Sequence, residues 1–384
     1  MTESGDADLP MYAEPAAGVI GGIKPQYREG IDPVLDVTDL SVEFPTEDGI
    51  VHAVRGVSFE LHKGEVLGIV GESGSGKSVT NMAILGLLPR TARITGSVLY
   101  RGEELIGMRP NELNEYRGKK IVMVFQDPMT SLNPVLRVGV QIAEAVRAHT
   151  EVSKKDALDR AVDMLALVGI PNPKERARNY PHEFSGGMRQ RAMIAMAMAN
   201  DPDVIIADEP TTALDVTIQA QILETLEKVQ EEFGSSIILI THDLGVIANM
   251  ADRVLVMYAG RPVELGSVDQ IFDEPRMPYT LGLLGSLPRL DADGSERLVP
   301  ITGSPPSLVN LPPGCPFQAR CPLAKPLCND SEPVLVATDG DSHLAACHYW
   351  NELTADVEAA EIFETTAVDA ELPEAFAEPT DGVA

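Results

Sequence analysis

The residues with the plainest chemical meaning form one run, Gly71-Glu72-Ser73-Gly74-Ser75-Gly76-Lys77-Ser78. They follow the β-like stretch Val66 to Val70 and precede a helix-like stretch from Val79 to Leu88. Gly71, Gly76, Lys77 and Ser78 fit G-x-x-x-x-G-K-[ST], and strand, glycine loop, helix is the context that pattern requires. Glycines free backbone N–H groups to wrap phosphates, while the following helix presents its positive end. Lys77 is placed to neutralise β and γ phosphates, and the Ser78 hydroxyl to ligate Mg²⁺. A plain glycine turn before an amphipathic helix is the competing reading, and the flanking elements weaken it.

The complement of such a loop is a carboxylate at the end of a buried strand. Val204-Ile205-Ile206-Ala207-Asp208-Glu209 supplies one. Acidic residues there stand at the carboxyl edge of a parallel sheet, where such sheets bind ligands. Asp208 is expected to hold Mg²⁺ through its water shell, and Glu209 to polarise an attacking water as general base. Gln126, at the end of the strand-like Ile121 to Phe125, could reach the metal or the water and sense a moving helical segment. His242 follows the apolar run Ile237 to Ile240 and could donate to a γ-phosphate. A lone His or Gln in such places is more often structural.

Ser185-Gly186-Gly187-Met188-Arg189-Gln190 is more specific. Ser185 can cap the helix it precedes, and the two glycines leave amides exposed, which makes a second anion site. The bland reading is an ordinary capped helix. Two phosphate-binding helix starts more than a hundred residues apart point instead to two copies facing each other, each closing the other's nucleotide site.

The elements that must position these residues alternate in type. β-like runs at Val34 to Phe44, Val51 to Leu61 and Val66 to Val70 open the folded part. Helical pattern fills Val138 to Tyr180, and helices are expected over Met188 to Asn200 and Thr217 to Phe233. Strands alternating with helices imply a parallel sheet with helices on its faces. There is no internal repeat.

The order Gly71–Ser78, Gln126, Ser185–Gln190, Asp208-Glu209, Ala213-Leu214-Asp215, His242 resembles that of the ABC ATPases. The likeness covers Val34 to Leu265, and no core motif residue departs from the consensus. It implies an α/β P-loop NTPase of ABC type, with a mixed sheet core, a helical subdomain over about 127–190 and a small C-terminal Cys-rich extension. By the same likeness the runs are the Walker A, Q-loop, signature, Walker B, D-loop and switch-histidine elements. Asp215 would lie at the interface between two ATPase subunits, and an aromatic ahead of the P-loop would stack on adenine. Phe44 is the candidate by spacing, although a strand Phe is more often core.

Phe125-Gln126-Asp127-Pro128-Met129-Thr130-Ser131-Leu132-Asn133-Pro134 and Gly186 to Arg191 are similar to the dipeptide, oligopeptide and nickel importer ATPases. So are Ile271-Phe272, Pro278-Tyr279-Thr280 and Leu283-Leu284 downstream, with Met277 where that group usually has His. That likeness implies a second ATPase subunit, homologous or identical, two membrane permeases and an extracytoplasmic solute-binding protein as partners. It places the chain peripherally on the cytoplasmic face of the cell membrane, with di- or oligopeptides as cargo and nickel or another small solute as the alternative.

All four cysteines lie late: Cys315, Cys321, Cys328 and Cys347. The tight pairs usual in zinc sites are absent, and disulfides do not suit a reducing cytoplasm. Four thiolates on proline-punctuated loops suit an iron–sulfur cluster, with zinc or free buried thiols as alternatives. The peptide-importer likeness implies [4Fe-4S] there. His343 and His348, flanking Cys347, read as loop histidines rather than ligands.

Composition bounds the rest. The net charge of −28 argues against a nucleic-acid binder. No run approaches the apolar length of a membrane span, and the acidic start lacks a secretory pattern. Residues 1–33 read as a flexible extension, 34–265 as the ATPase domain and 266–350 as the cysteine-bearing extension. From 351 to 384 there are ten Asp or Glu and no Lys or Arg, a solvated acidic tail. The short interval between Gln126 and Ser185, the single ATPase unit and the acidity disfavour a repair or ribosome-associated ABC protein. A P-loop kinase or GTPase would lack the signature run, and a module that binds ATP without hydrolysis would not need Glu209.

Overall fold

Every residue of β3 (Val66–Val70), β7 (Val204–Asp208) and β8 (Ser236–Ile240) is buried, as continuous apolar strands become when helices cover both faces of a parallel sheet. The computed structural model of the chain describes residues 32–127, 131–212, 215–286, 300–338, 340–353 and 359–363. Pro128, Met129, Thr130, Ala213 and Leu214 lie outside them, as do most of the N-terminal extension and most of the acidic tail.

In chain order the strands are β1 (Leu35–Thr46), β2 (Gly49–Leu61), β3, β4 (Arg93–Tyr100), β5 (Glu103–Glu104), β6 (Ile121–Val124), β7, β8, β9 (Arg253–Tyr258), β10 (Arg261–Ser267), β11 (Val336–Thr338) and β12 (Gly340–Ala345). The first sheet runs β2-β1-β4-β5 and is antiparallel throughout. The second runs β11-β12-β10-β9-β3-β8-β7-β6, parallel from β9 to β6 and antiparallel beyond β9. A mixed core is therefore present, and the parallel expectation holds for its centre alone. Strands β4, β5, β9, β10, β11 and β12 have no counterpart among the expected runs.

The helices are α1 (Lys77–Ile84), α2 (Pro110–Leu113), α3 (Val138–His149), α4 (Lys154–Leu167), α5 (Pro173–Arg176), α6 (Gly186–Ala197), α7 (Val216–Phe233), α8 (Leu244–Met250), α9 (Val268–Asp273), α10 (Pro278–Gly285), α11 (Pro326–Asp330) and α12 (Ala359–Phe363). Five of their starts follow side-chain capping. Ser153, Ser185, Asp215, Asp243 and Ser267 each accept a backbone N–H from the first turn they precede. The long helical pattern from Val138 resolves into α3, α4 and α5, which Gly169 and Pro171 punctuate. Val138, Ile142 and Val146 of α3 share a buried cluster with Ala161 and Leu165 of α4 and Met193 of α6. This layer stands beside the sheet edge formed by β6.

Residues 300–353 wrap back onto the main sheet and its core. Strand β12 pairs with β10 through Glu264↔Ala345 and Leu265↔Leu344, so it continues the main sheet. Cys315, Phe317 and Cys328 belong to the same buried cluster as Tyr258 and Val256. At the far ends of β3 and β9, Arg253 donates to the Glu65 carboxylate at 2.6 Å, a pair wholly removed from water. Among the described residues, no helix is long and apolar enough to cross a membrane.

Candidate active site

Adjacent strands β3, β8, β7 and β6 point their carboxyl ends the same way. This order sets the glycine loop, His242, Asp208-Glu209 and Gln126 side by side. Local sequence cannot arrange that, because each of the four comes from a different strand.

After β3 the loop turns through Gly71 and Gly76, at φ of 145° and 101°. A Cβ on Gly76 would stand 2.5 Å from the Ala53 carbonyl oxygen, so only glycine closes the turn. Helix α1 begins at Lys77, with its amino end on the loop. The Lys77 ammonium donates to the carbonyls of Gly71 (2.7 Å) and Glu72 (2.9 Å) and to Ser75 Oγ (3.4 Å). Burial pulls its pKa below the ordinary lysine range, against the opposing charges of Glu209, Asp208 and Glu72. Ser73 and Gly74 form the outer, exposed part of the loop.

Ser78 Oγ donates to Asp208 Oδ1 at 3.0 Å. Desolvation raises the Asp208 pKa, and the hydrogen bond from Ser78 works against that rise. A buried carboxylate beside a hydroxyl, opened to the loop, is a donor set suited to a divalent cation that shares its other ligands with phosphate and water.

Glu209 adopts φ 47°, unusual for a side chain of its size, and is pinned there by its N–H donating to Ile240 O at 2.9 Å. Its Oε2 accepts the Gln126 amide (2.9 Å) and the Thr212 hydroxyl (2.7 Å), and His242 Nδ1 lies 3.6 Å from Oε1. Thr212 was not among the expected residues. Its signal was its place three residues after Glu209, on the turn leaving β7.

The remaining expected residues are carried elsewhere. Ser185 accepts the Met188 N–H at 3.3 Å and is exposed together with Gly186, whereas Gly187 and Gln190 are buried. This turn belongs to the helical layer. Asp215 is exposed and accepts the Ile218 N–H at 3.0 Å as the cap of α7. Phe44 pairs with Val51 across β1 and β2 and packs, half-buried, on the core of the antiparallel sheet.

The four cysteines form no disulfide and together line one pocket, with Phe317 and Tyr349 in its wall. Burial pushes Cys315 up to about 11, Cys321 to about 12 and Cys347 to about 11. Backbone N–H groups two residues on oppose this by donating to the sulfurs, as Tyr349 does to Cys347 at 3.4 Å. Among the described residues, no three His, Cys, Asp or Glu side chains converge to hold a metal ion. His343 Nε2 pairs with Glu264 at 2.9 Å, and His348 Nε2 pairs with the Ser331 carbonyl at 2.9 Å while its ring lines the cysteine pocket.

The fold is that of an ABC ATPase cassette. A dimeric ATP-binding cassette, MJ0796, in a post-hydrolysis state bound to ADP and Pi, superposes with a TM-score of 0.55 at 28% identity, covering 61% of this chain and 98% of that one. The ABC transporter family profile matches residues 54–212, and the profile of the oligopeptide/dipeptide transporter C-terminal region matches 263–328. The dipeptide transport ATP-binding protein DppD of Bacillus subtilis is 55% identical over 83% of this chain and 95% of its own length. The oligopeptide transport ATP-binding protein OppD of Escherichia coli is 51% identical over 84% and 95%. OppD of Mycobacterium tuberculosis is 55% identical over 87% of this chain, which spans 54% of that longer relative. The chain belongs to the ABC transporter ATP-binding proteins, in the oligopeptide/dipeptide transporter group.

Proposed function

We propose that this chain hydrolyses ATP to drive an importer of oligopeptides or dipeptides. The observation that carries the reading is the convergence of Ser78 with Asp208, and of Gln126 and Thr212 with Glu209, at neighbouring strand ends. The named transport roles of the similar proteins and the match of residues 263–328 support the peptide cargo. In this reading 34–265 is the ATPase domain and 266–350 the extension typical of the group.

Gly71 to Ser78 wrap the phosphates, and Lys77 exchanges its loop carbonyls for phosphate oxygens. Ser78 and Asp208, with Gln126 nearby, would hold Mg²⁺, which would supply positive charge to the β and γ phosphates. Glu209 takes a proton from the attacking water, while Gln126 and Thr212 fix the direction in which its carboxylate points. His242 donates to the γ-phosphate. Phe44 stacks on the adenine.

Ser185, Gly186, Gly187 and Gln190 serve the ATP held by a second ATPase subunit, and Asp215 meets that subunit. The exposed Ser185–Gly186 turn and the dimer described for the similar cassette support this arrangement. Beside Gln126 lies an apolar groove lined by Leu87, Met123, Phe125, Ala148, Met193 and Met196. Phe125 is 40% exposed there, and a helix of a membrane permease docks on it. Closure of the ATP sandwich moves that helix through Gln126, and hydrolysis resets it. The chain accordingly works at the cytoplasmic face of the membrane, receiving solute that a binding protein delivers from outside.

For the cysteine pocket, a [4Fe-4S] cluster fits better than a single zinc ion, whose four ligands must converge within about 2.3 Å of one point. Four thiols around one pocket, with N–H bonds to sulfur, are the donor set of such a cluster. Bound there, it would staple the loops that carry the cysteines. Iron and sulfide content of anaerobically purified protein tests this, and stoichiometric zinc without iron would reject it.

Glu209→Gln tests the main reading. The full chain should still bind ATP, while turnover falls at least about a hundredfold. Hydrolysis at the normal rate would sink the assignment of the base.

A further inference from the structure

Glu72 sets a carboxylate inside a loop built to receive phosphates, where its charge would repel the ligand. The Arg320 guanidinium meets it as a two-pronged fork, Nη1 to Oε2 at 2.6 Å and Nη2 to Oε1 at 2.7 Å. Arg320 is 8% exposed. Its Nε donates to Thr302 O at 3.0 Å, and its guanidinium lies 5.9 Å and 5.8 Å from the ring centres of Tyr258 and Phe317. A second tether acts on the loop backbone, where Tyr279 Oη accepts the Glu72 N–H at 2.8 Å. Tyr258, Tyr279 and Phe317 pack on one another at 4.6–5.4 Å, so both tethers rise from one aromatic platform.

That platform joins the cysteine-bearing extension to the ATPase core. Arg320 directly precedes Cys321, and Phe317 follows Cys315 by two residues. Farther along, Glu332 takes a fork from Arg55 at 3.0 Å and 2.6 Å. The Arg55 N–H donates to Gly260 O, and Gly260 in turn donates to Ser75 O at 3.1 Å, again within the phosphate loop.

We propose that Arg320 and Tyr279 are positioning residues of the nucleotide site, through which the extension shapes the phosphate loop and cancels the charge of Glu72. The proposal rests on the reading of Gly71–Ser78 as the ATP loop. An arginine suits the task because its planar fork matches a carboxylate and keeps its charge when buried. With Glu72 neutralised, the loop presents Lys77 and its amides to the triphosphate without a competing anion. Neither residue touches the reacting atoms, so affinity rather than chemistry should depend on them.

The test is titration of the full chain with a fluorescent ATP analogue in Mg²⁺, alongside steady-state hydrolysis and thermal melting. Arg320→Ala should raise the analogue Kd and the ATP KM about tenfold, with kcat within about twofold. Tyr279→Phe should raise both about threefold, and Arg320→Lys should fall between wild type and Arg320→Ala. Adding Glu72→Ala to Arg320→Ala should restore most of the lost affinity, because the repelling charge is gone. A purely structural arginine would show no such rescue. Unchanged Kd and KM in the folded Arg320→Lys and Tyr279→Phe chains, or a double variant as weak as Arg320→Ala, would overturn the proposal. Lys77→Ala is the control for the underlying reading. If it binds the analogue normally, the ATP-loop assignment itself fails; if it loses binding while the Arg320 and Tyr279 variants do not change, the failure is confined to this proposal.

Discussion

Gln126 donates its side-chain amide to Glu209 Oε2 over 2.9 Å, joining the ends of two neighbouring strands through the carboxylate proposed as the base. The same oxygen accepts the Thr212 hydroxyl, and the left-handed backbone at Glu209 limits how the side chain can leave the strand. The carboxylate is thus aimed from both sides. One of its holders, Gln126, also stands where the chain enters the helical layer.

Removing one holder should misdirect the proposed base without disturbing the proposed phosphate loop. Thr212→Val keeps the shape and deletes the hydroxyl. We expect kcat to fall about tenfold with KM changed less than about twofold, the loss of one hydrogen bond to a charged group. Steady-state hydrolysis decides it, and an unaltered kcat would show that Gln126 alone orients Glu209.

Gly187 lets α6 approach the start of α7. A Cβ there would lie 2.6 Å from Ile218 Cγ2, so the Ile218 side chain or one of the helices must shift. Gly187→Ala should destabilise the chain by about 1–3 kcal/mol, as overpacking does, and depress hydrolysis by shifting the Ser185–Gly186 turn. Combining it with Ile218→Ala should recover much of both losses. Melting curves and activity that show no recovery would mean the clash is relieved elsewhere.

The desolvated thiols give a pH dependence in cluster-free protein. Cys315 at about 11, Cys321 at about 12 and Cys347 at about 11 all sit above the ordinary 9.0, chiefly through desolvation. An unfolded chain loses these protons near pH 9 while the folded chain keeps them, so the unfolded state binds fewer protons in that window. Their contribution to stability is therefore complete below about pH 9 and is lost as pH rises through about 11 to 12. Iodoacetamide labelling of the native protein should be slow at neutral pH, because the thiolate is the reactive form. Rapid labelling of Cys315, Cys321 and Cys347 at neutral pH in a folded sample would contradict this.

Much of the site was legible because it is local. Eight consecutive residues from Gly71 to Ser78 carry their own geometry, since glycines, a lysine and a helix start need no distant partner to adopt it. The caps at Ser185 and Asp215 are equally local, each closing on a backbone N–H three residues away. Asp208 and Glu209 announce themselves as the acidic end of an apolar run.

What lies between distant segments could not be read in this way. The sequence determined, by itself, where capped helices start and which residues are proposed for phosphate and a cation, because those properties belong to short stretches of backbone and side chain. Tertiary structure alone decided that β8 stands between β3 and β7, that β12 continues the sheet beside β10, and that Arg320 reaches Glu72 across 248 residues. Such pairings come from burying apolar faces and neutralising buried charge over the whole chain, and no local pattern records which partner will satisfy them.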